Sequence, residues 1–277
     1  MTINEINKHL FSRNTVLDSQ IKSELERLKA QAVAVEDEKT ANELWCYEQI
    51  YLIQNEYYKS YKHMHRAFNL SEELDENGYD SPKSKEYEAA WNALDHSDMK
   101  ISFLAENYCI EGTEIEKFHI NEIEEDIQRL LPLFPYRFFI SREQIIKREE
   151  CSICGKTISI RHPCGHVAQR LYMGEMCCKK VVDLEFLGAS IVTKPFDRYA
   201  IMKPHGIKFN FSLLDFIVPK IKPYSKWSYD IEKRLLPEFQ KIGRNARCPC
   251  GSGKKFKYCI RDHTERHFKD HFIFSVG

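Results

Sequence analysis

Residues 245–263 read NARCPCGSGKKFKYCIRDH, and this stretch decides how the C-terminal part of the 277-residue chain can fold. It holds three cysteines, the first two separated by a single proline. A segment this short cannot bury enough apolar surface to order itself, whereas a metal ion bound by four side chains supplies about 10 kcal/mol or more of folding free energy. The pattern therefore predicts a metal-binding unit.

The same residues resemble the SEC-C motif, which is found at the C-terminus of SecA translocation ATPases and in YecA-like proteins. Cys248, Cys250 and Cys259 fall on the first three ligand positions of that motif, and Asn245 and the run Gly251-Ser-Gly-Lys-Lys also match it. The resemblance covers under a tenth of the chain. It implies a metal-binding surface that contacts ribosomes or the SecB chaperone, with zinc or iron as the metal.

The sequence departs from the motif at the fourth ligand position, which is occupied by Ile260. The nearest donor is His263, four residues after Cys259. If the chain is helical from Cys259, residues four apart share a face, so we expect His263 to complete the site. A ligand from Asp262 or from a water molecule is the alternative.

The tail also has the composition of a surface that binds an acidic partner. Residues 241–277 hold nine Lys and Arg against three Asp and Glu. Basic side chains interleaved with aromatic ones suit phosphate contacts and stacking on unpaired bases. The residues expected to bind the partner are Lys254, Lys255, Phe256, Lys257, Tyr258 and Arg261.

A second group of cysteines lies in residues 151–178, which read CSICGKTISIRHPCGHVAQRLYMGEMCC. Two thiolates three positions apart, followed by glycine, are typical of a zinc knuckle, because the glycine lets the chain turn so that both sulfurs point inward. Tetrahedral zinc takes four ligands, and this segment offers more than four candidates. We expect Cys151, Cys154 and Cys177 to bind, with Cys164 or His166 completing the set.

A nucleophilic cysteine with a histidine base is the competing interpretation of this group, since His162 and His166 stand close to Cys164. A catalytic thiol does not require a C-x2-C partner, and the group is rich in thiols. A closed structural site is therefore favoured. The two groups together predict two metal ions per chain, mainly zinc, with iron possible at the C-terminal site.

The N-terminal half predicts an all-helical domain. Leu17, Ile21, Leu25 and Leu28 form one amphipathic stripe, a long periodic run extends from about residue 39 to 69, and Ser81-Pro82 is a good helix start. Further helices are predicted to about residue 96, from 97 to 108, and from 121 to 131. The long run carries an aromatic stripe that predicts core packing between antiparallel helices rather than a binding groove. Its members are Trp45, Tyr47, Tyr51, Tyr57, Tyr58 and Tyr61.

Beyond Pro132 the sequence becomes turn-rich and β-like. Residues 198–211, split by Pro-His-Gly at 204–206, predict a β-hairpin, and residues 229–239 predict a return to helix. The two N-terminal cysteines, Cys46 and Cys109, stand among apolar residues and are predicted to be buried structural thiols.

The formal net charge of zero conceals an asymmetry. Residues 1–140 hold 15 Lys and Arg against 27 Asp and Glu, whereas residues 141–240 hold 17 against 11. This indicates different partners for the two halves, or one half partly screening the other. We find no apolar run typical of a signal peptide, nor the roughly 18–20 apolar residues of a membrane span, so a cytoplasmic location is expected.

The predicted fold class is α+β and multidomain. An acidic, mainly helical domain spans 1–135, a small zinc-knuckle α+β domain spans 136–240, and a basic, SEC-C-like metal-binding tail spans 241–277. The expected function is a zinc-binding cytoplasmic adaptor whose tail docks on an acidic partner, either the ribosome or RNA, or a chaperone. A metal-dependent or cysteine-based hydrolase acting at the first cluster and a nucleic-acid-binding regulator are the alternatives. An enzyme is disfavoured, because the sequence lacks a nucleotide-binding signature, an H-E-x-x-H motif and carboxylates at a catalytic spacing.

Overall fold

The computed structural model describes residues 2–13, 19–262 and 264–277. The chain divides into two compact units, Met1–Tyr224 and Ser225–Gly277. The first is mainly helical and carries a long β-hairpin, and the second combines a β-hairpin with a short helix. The chain is therefore α+β, as the sequence predicts, whereas the division into three domains stays a prediction.

The first part of unit one is helical. Its helices are α1 (Ile3–Leu10), α2 (Ser19–Ala34), α3 (Glu38–Phe68), α4 (Pro82–Asn107) and α5 (Ile120–Leu130). No helix in the described parts of the chain is both long enough and apolar enough to cross a membrane. Of the predicted stripe on α2, Leu17 lies outside the described residues, whereas Ile21 and Leu25 are buried.

Helices α3 and α4 pack as an antiparallel pair at the centre of this unit. The Ser97 hydroxyl donates to the carbonyl of Ile53 (3.0 Å), and His63 Nδ1 lies 2.6 Å from a carboxylate oxygen of Glu86. Residue numbers rise along one helix as they fall along the other, so the two run in opposite directions. The six aromatic residues of the predicted stripe on α3 are all buried, which confirms their assignment to the core.

The start of α4 is fixed by its sequence. The Ser81 side chain accepts a hydrogen bond from the backbone in the first turn, and Pro82 is the first helical residue, as predicted. The predicted break between His96 and Ser97 is wrong, because α4 continues through both residues. Ser97 is buried inside the helix and donates its hydroxyl to a carbonyl of α3 instead of capping a new helix.

The two N-terminal cysteines lie side by side but differ in exposure. Cys46 is buried in α3, whereas Cys109 follows the end of α4 and is exposed, so the prediction of burial holds for Cys46 alone. Their sulfur atoms are 3.6 Å apart. Burial raises the pKa of the Cys46 thiol well above its ordinary value, so this side chain stays protonated.

A long antiparallel β-hairpin follows the helices. Its strands are β1 (Phe139–Cys151) and β4 (Lys179–Val192), paired from Phe139 opposite Val192 to Cys151 opposite Lys179. The segment between them holds a second, very short hairpin of β2 (Leu171–Tyr172) and β3 (Glu175–Met176). The short helix α6 (Ser212–Ile217) follows later in this unit.

The hairpin predicted over residues 198–211 is wrong, because this segment does not pair with itself. Its backbone pairs with the start of β1, where Ile201 bridges to Phe139, and its basic side chains bind to α4. The Arg198 guanidinium pairs with Asp95 and Asp98 at 3.1 and 3.0 Å. Lys203 likewise pairs with Asp80, at 3.0 Å, and with a second carboxylate. Basic residues of the later sequence thus screen acidic residues of the helical part, one of the two explanations offered for the charge asymmetry.

The second unit contains an antiparallel hairpin of β5 (Trp227–Leu235) and β6 (Phe268–Val276), with α7 (Phe256–Asp262) between them in sequence. The helix predicted over residues 229–239 is wrong. Alternate residues of β5 are apolar at Trp227, Tyr229 and Ile231, which is the period of a strand. Each of these residues faces an apolar residue of β6, so pairing of the strands decides the structure.

The carboxylate of Asp126 ties α5 to α3. This side chain is 2% exposed, and its Oδ2 accepts hydrogen bonds from the hydroxyls of Tyr57 (2.8 Å) and Tyr61 (2.5 Å). Burial, more than the nearby charges, raises the pKa of both phenols, so they remain protonated donors. Two buried hydroxyls therefore depend on one acceptor.

We predict that Asp126→Ala lowers the free energy of unfolding by about 3 kcal/mol, because it leaves two buried hydroxyls without this acceptor. Urea unfolding followed by circular dichroism measures the change. Glu125→Ala is the matched control, since the neighbouring Glu125 side chain is 73% exposed. Its loss is expected to stay within about 0.5 kcal/mol. Equal losses in the two variants would contradict the structural role of Asp126.

Candidate metal centres

The first centre lies where the two long strands of unit one end. Cys151 is the last residue of β1, Cys154 follows in the turn, and Cys164 and His166 come from the loop before β2. One ligand atom from each of these four side chains lies within 4.8 Å of all the others. Donors bound to one zinc ion at about 2.0–2.3 Å are about 4 Å apart, so the four side chains are arranged as a single metal site requires.

The turn after β1 favours a thiolate on Cys151. The N–H groups of Cys154 and Ile153 lie against its sulfur and lower the pKa of Cys151 to about 6. At Cys154 the N–H of Lys156 favours the thiolate, but burial and the neighbouring Cys151 outweigh it and raise the pKa. One thiolate therefore forms readily, and the approach of a second negative charge needs a cation to offset it.

His166 carries a nitrogen that no other group in the described residues satisfies. Its Nδ1 is buried and has no hydrogen-bond partner there. The ring meets the edge of Tyr172 with 4.7 Å between centroids, and the Tyr172 hydroxyl in turn accepts from the N–H of Val167. A buried nitrogen without a partner is costly, and a metal ion in the centre would satisfy it.

Cys177 is a fourth thiol beside this centre. The sequence predicts it as a ligand and leaves Cys164 and His166 as alternatives, whereas the structure brings both of these to the group of four. The Cys177 sulfur is buried 3.8 Å from that of Cys151 but stands outside that group, and burial raises its pKa to about 11. The adjacent Cys178 is exposed.

The loop of the first centre is held against α3 and α4. The N–H of Gly174 donates to Asn42 Oδ1 (2.8 Å), and the Asn107 side chain donates to the carbonyl of Gln169 (2.9 Å). Gly174 has a φ of +74°, and a Cβ at this position would come within 2.8 Å of the Ala41 carbonyl oxygen. Only glycine allows this close approach, which local sequence patterns do not reveal.

The second centre lies within unit two. Cys248 and Cys250 come from the loop before α7, Cys259 lies in α7, and His267 directly precedes β6. The Cys248 sulfur is 3.1 Å from Nε2 of His267, and the sulfurs of Cys250 and Cys259 are 3.3 Å apart. As in the first centre, the four ligand atoms all lie within 4.8 Å of one another.

The loop between the cysteines adjusts the charge of the second centre. Ser252 stands between two glycines with φ of +78° and +72°, and its Oγ lies 3.0 Å from the Cys259 sulfur. Its hydroxyl is the main cause that lowers the pKa of Cys250 to about 6, whereas burial raises that of Cys248 to about 11. The site therefore combines a ready thiolate on Cys250 with a thiol on Cys248 that a metal ion would have to deprotonate.

Among the described residues His267 brings a nitrogen to this group, a position for which the sequence favours His263. His263 lies outside the described residues. Helix α7 ends at Asp262, and a 3-10 turn over Thr264–Arg266 carries the chain round to His267. The sequence signal that could have indicated His267 is the alternation of apolar residues in β6, which places a strand directly after it.

The surrounding aromatic residues hold the imidazole of His267 in place. His267 is fully buried, with its ring 4.7 Å from that of Phe239 and 5.7 Å from that of Phe256. The small core of this unit consists of these two phenylalanines together with Cys248 and Cys259. Two of its four buried members thus belong to the candidate metal centre, so this centre and the core are one structure.

Comparison with known proteins bears on the second centre. The model of the SEC-C motif matches residues 244–259. The chain carries a SEC-C motif. A stretch of 27 residues is 63% identical to "Protein translocase subunit SecA" of Verminephrobacter eiseniae (strain EF01-2), and it covers 10% of this chain and 3% of that protein. No solved structure matches the chain.

Helix α7 carries most of the predicted partner-binding residues, and their burial differs. Phe256 packs in the core, stacked on Phe239 with 6.1 Å between ring centroids, so it does not offer a free face to a base. Tyr258 is 47% exposed. Lys257 Nζ lies 5.0 Å and Arg261 Cζ 5.9 Å from the centroid of its ring. An exposed aromatic ring between two cations is therefore the main feature of this surface.

The two lysines before α7 differ in their pairing. Lys254 Nζ lies 2.9 Å from a carboxylate oxygen of Asp262, which partly neutralises its charge. Lys255 is exposed and extends the basic surface, while its backbone bridges to Arg247. Lys255 is thus better placed than Lys254 to contact an anionic partner.

Both centres bring together three sulfur donors and one imidazole. This is the donor set of structural zinc sites, in which four protein ligands close the coordination sphere. A closed site leaves no position for a substrate or an activated water molecule. The arrangement is therefore suited to stabilising the fold.

We predict that His267→Ala releases about one metal ion per chain and unfolds the second unit, because three thiols without the imidazole bind metal weakly. Elemental analysis of the purified protein and circular dichroism measure both effects. His271→Ala is the control, since His271 is exposed on β6. Full metal content in His267→Ala, with loss in His263→Ala, would contradict the assignment of His267.

Proposed function

We propose that the protein is a zinc-binding cytoplasmic adaptor that docks on the ribosome, through its RNA, by the exposed face of α7. One zinc ion in each centre would hold the fold, with iron as a possible occupant of the second centre. The observation that most supports this proposal is the exposed ring of Tyr258 between Lys257 and Arg261.

The second centre supports this proposal because it fixes the docking surface. Helix α7 has seven residues, and an isolated helix of this length is not stable in water. Cys259 is one of the four donors and directly follows Tyr258, so metal binding would hold the ring and both cations in one arrangement. A preformed surface loses less conformational entropy on docking, which couples metal binding to partner binding.

The chemistry of the surface favours RNA among acidic partners. Lys257, Arg261 and Lys255 can each contact a phosphate, and the Tyr258 ring can stack on an unpaired base. An acidic chaperone would use the same cations, but it would gain little from the ring. The contribution of Tyr258 therefore distinguishes the two partners.

The first centre is assigned a structural role in this proposal. Cys164 and His166, the pair that a cysteine hydrolase would use, both belong to the group of four donors. Their shared position with Cys151 and Cys154 supports ligation rather than catalysis. The centre would then anchor the end of the long hairpin against α3 and α4.

We predict that the double variant Lys257→Ala/Arg261→Ala weakens binding to bacterial ribosomes and to a single-stranded RNA oligonucleotide. The slope of log affinity against log salt concentration is expected to fall by roughly one unit for each phosphate that the variant no longer neutralises. Tyr258→Ala is expected to weaken RNA binding about tenfold, because the base loses its stacking surface. Co-sedimentation with ribosomes and fluorescence anisotropy at several salt concentrations measure these effects.

Lys233→Ala/Arg234→Ala is the matched control, because it removes the same charge from β5 of the same unit. The affinity of this control variant for ribosomes and for the RNA oligonucleotide should stay close to that of the unmodified protein. The RNA proposal fails if the two double variants bind RNA equally well. Binding to an acidic chaperone that needs the cations but not Tyr258 would favour the chaperone instead.

A further inference from the structure

A cavity of about 520 Å³ lies in unit one where α2 ends and α3 begins. We name it the α2–α3 cavity. The residues that line it from each helix are spaced i, i+3, i+4 and i+7, so each helix presents one face to it. From α2 and its end these are Leu28, Gln31, Ala32 and Val35, and from α3 they are Thr40, Glu43, Leu44 and Tyr47. The volume is that of sites which bind small organic molecules.

The floor of the α2–α3 cavity is apolar. Ala32, Leu44, Tyr47 and Ile110 all line it, and each is only 5% or 6% exposed. Burial raises the pKa of the Tyr47 phenol, so this side chain stays neutral. An apolar group placed against this floor would leave water, which favours its binding.

The polar part of the lining is acidic. Asp37, Glu43 and Glu111 line the cavity, and no Lys, Arg or His is among the described residues that do so. Glu111 is offset by Lys39, whose Nζ lies 2.6 Å from a carboxylate oxygen. The Thr40 hydroxyl donates to Asp37 (2.6 Å) and is the main cause that lowers its pKa, so Asp37 stays ionised. Within the described residues Glu43 has no hydrogen bond or ion pair.

Two negative charges without a cation therefore stand beside an apolar floor. In a concave site with apolar walls the field of such charges is focused and concentrates cations. The three carboxylates are not among the described side chains whose donor atoms converge as a metal ion requires. An organic cation satisfies both parts of the cavity, because it carries its charge on an apolar body.

We propose that the α2–α3 cavity binds a small organic amine. Its protonated nitrogen lies beside Asp37 and Glu43, and its alkyl or aromatic body covers the apolar floor. None of the lining residues belongs to either cysteine centre, so this site is separate from both. Binding can therefore be measured on the full chain with its metal ions in place.

Octylammonium and octanoate are matched probes, since they share an alkyl chain and differ in the sign of their charge. Isothermal titration calorimetry of the metal-loaded full chain should give a dissociation constant on the order of 0.1 mM for octylammonium. Octanoate should bind at least about tenfold more weakly, because its carboxylate meets charges of the same sign. Added salt should weaken octylammonium binding, since it screens the attraction.

Two glutamates of α3 allow a matched test of the charge. Glu43→Gln keeps the shape of the side chain and removes its charge, so it should weaken octylammonium binding about tenfold. Glu38→Gln removes the same charge from the same helix, but Glu38 is exposed and does not line the cavity. Solvent screens its charge, so the affinity should change by less than about twofold. Leu28→Trp should fill the cavity and abolish octylammonium binding, with an unchanged circular dichroism spectrum.

Three results would overturn the proposal. The first is the absence of octylammonium binding at about 2 mM, well above the expected dissociation constant. The second is octanoate binding as tight as that of octylammonium, or equal effects of the two glutamine variants. The third is binding of a basic amphipathic peptide without binding of octylammonium, which would assign the cavity to a protein partner.

Discussion

Three sulfur atoms within 4.8 Å of one another cannot all be thiolates unless a cation lies between them. This constraint applies at both cysteine clusters. Burial holds the pKa of Cys248 near 11, so without a metal ion this thiol keeps its proton. A metal ion replaces such protons, and the free energy of its binding becomes free energy of folding.

The two centres use this free energy differently. In unit two, Cys248 and Cys259 are two of the four buried residues of the hydrophobic cluster, so metal binding there would coincide with formation of this core. In unit one the helices have a large core of their own. There the hydrogen bonds of Gly174 and Asn107 hold the loop against α3 and α4, and a metal ion in the first centre would fix the end of the long hairpin to this loop. Loss of metal should therefore unfold the second unit and only loosen the hairpin of the first.

Local sequence patterns were sufficient for much of the structure. The cysteine spacings located both metal groups, Ser81-Pro82 gave the start of α4, and the aromatic stripe of α3 gave its buried face. What these patterns did not reveal depends on interactions between distant segments. Residues 198–211 are held by acidic side chains of α4 and by the backbone pairing of Ile201 with Phe139 of β1, and His267 reaches its centre because β6 pairs with β5.

The choice among the donors of the first centre also depends on interactions between distant segments. Spacing alone left Cys164 and His166 as alternatives, since either can reach a knuckle formed by Cys151 and Cys154. The fold of the loop brings both in, and it leaves Cys177 beside the group. Only the path of the chain over α3 and α4 decides this arrangement.

X-ray absorption at the metal edge, combined with the metal content of the folded protein, tests metal binding most directly. Two ions per chain are expected, with an average shell of three sulfurs at about 2.3 Å and one nitrogen at about 2.0–2.1 Å. A fully folded chain with fewer than two ions, or a shell dominated by oxygen, would contradict the assignment of both clusters as closed metal centres.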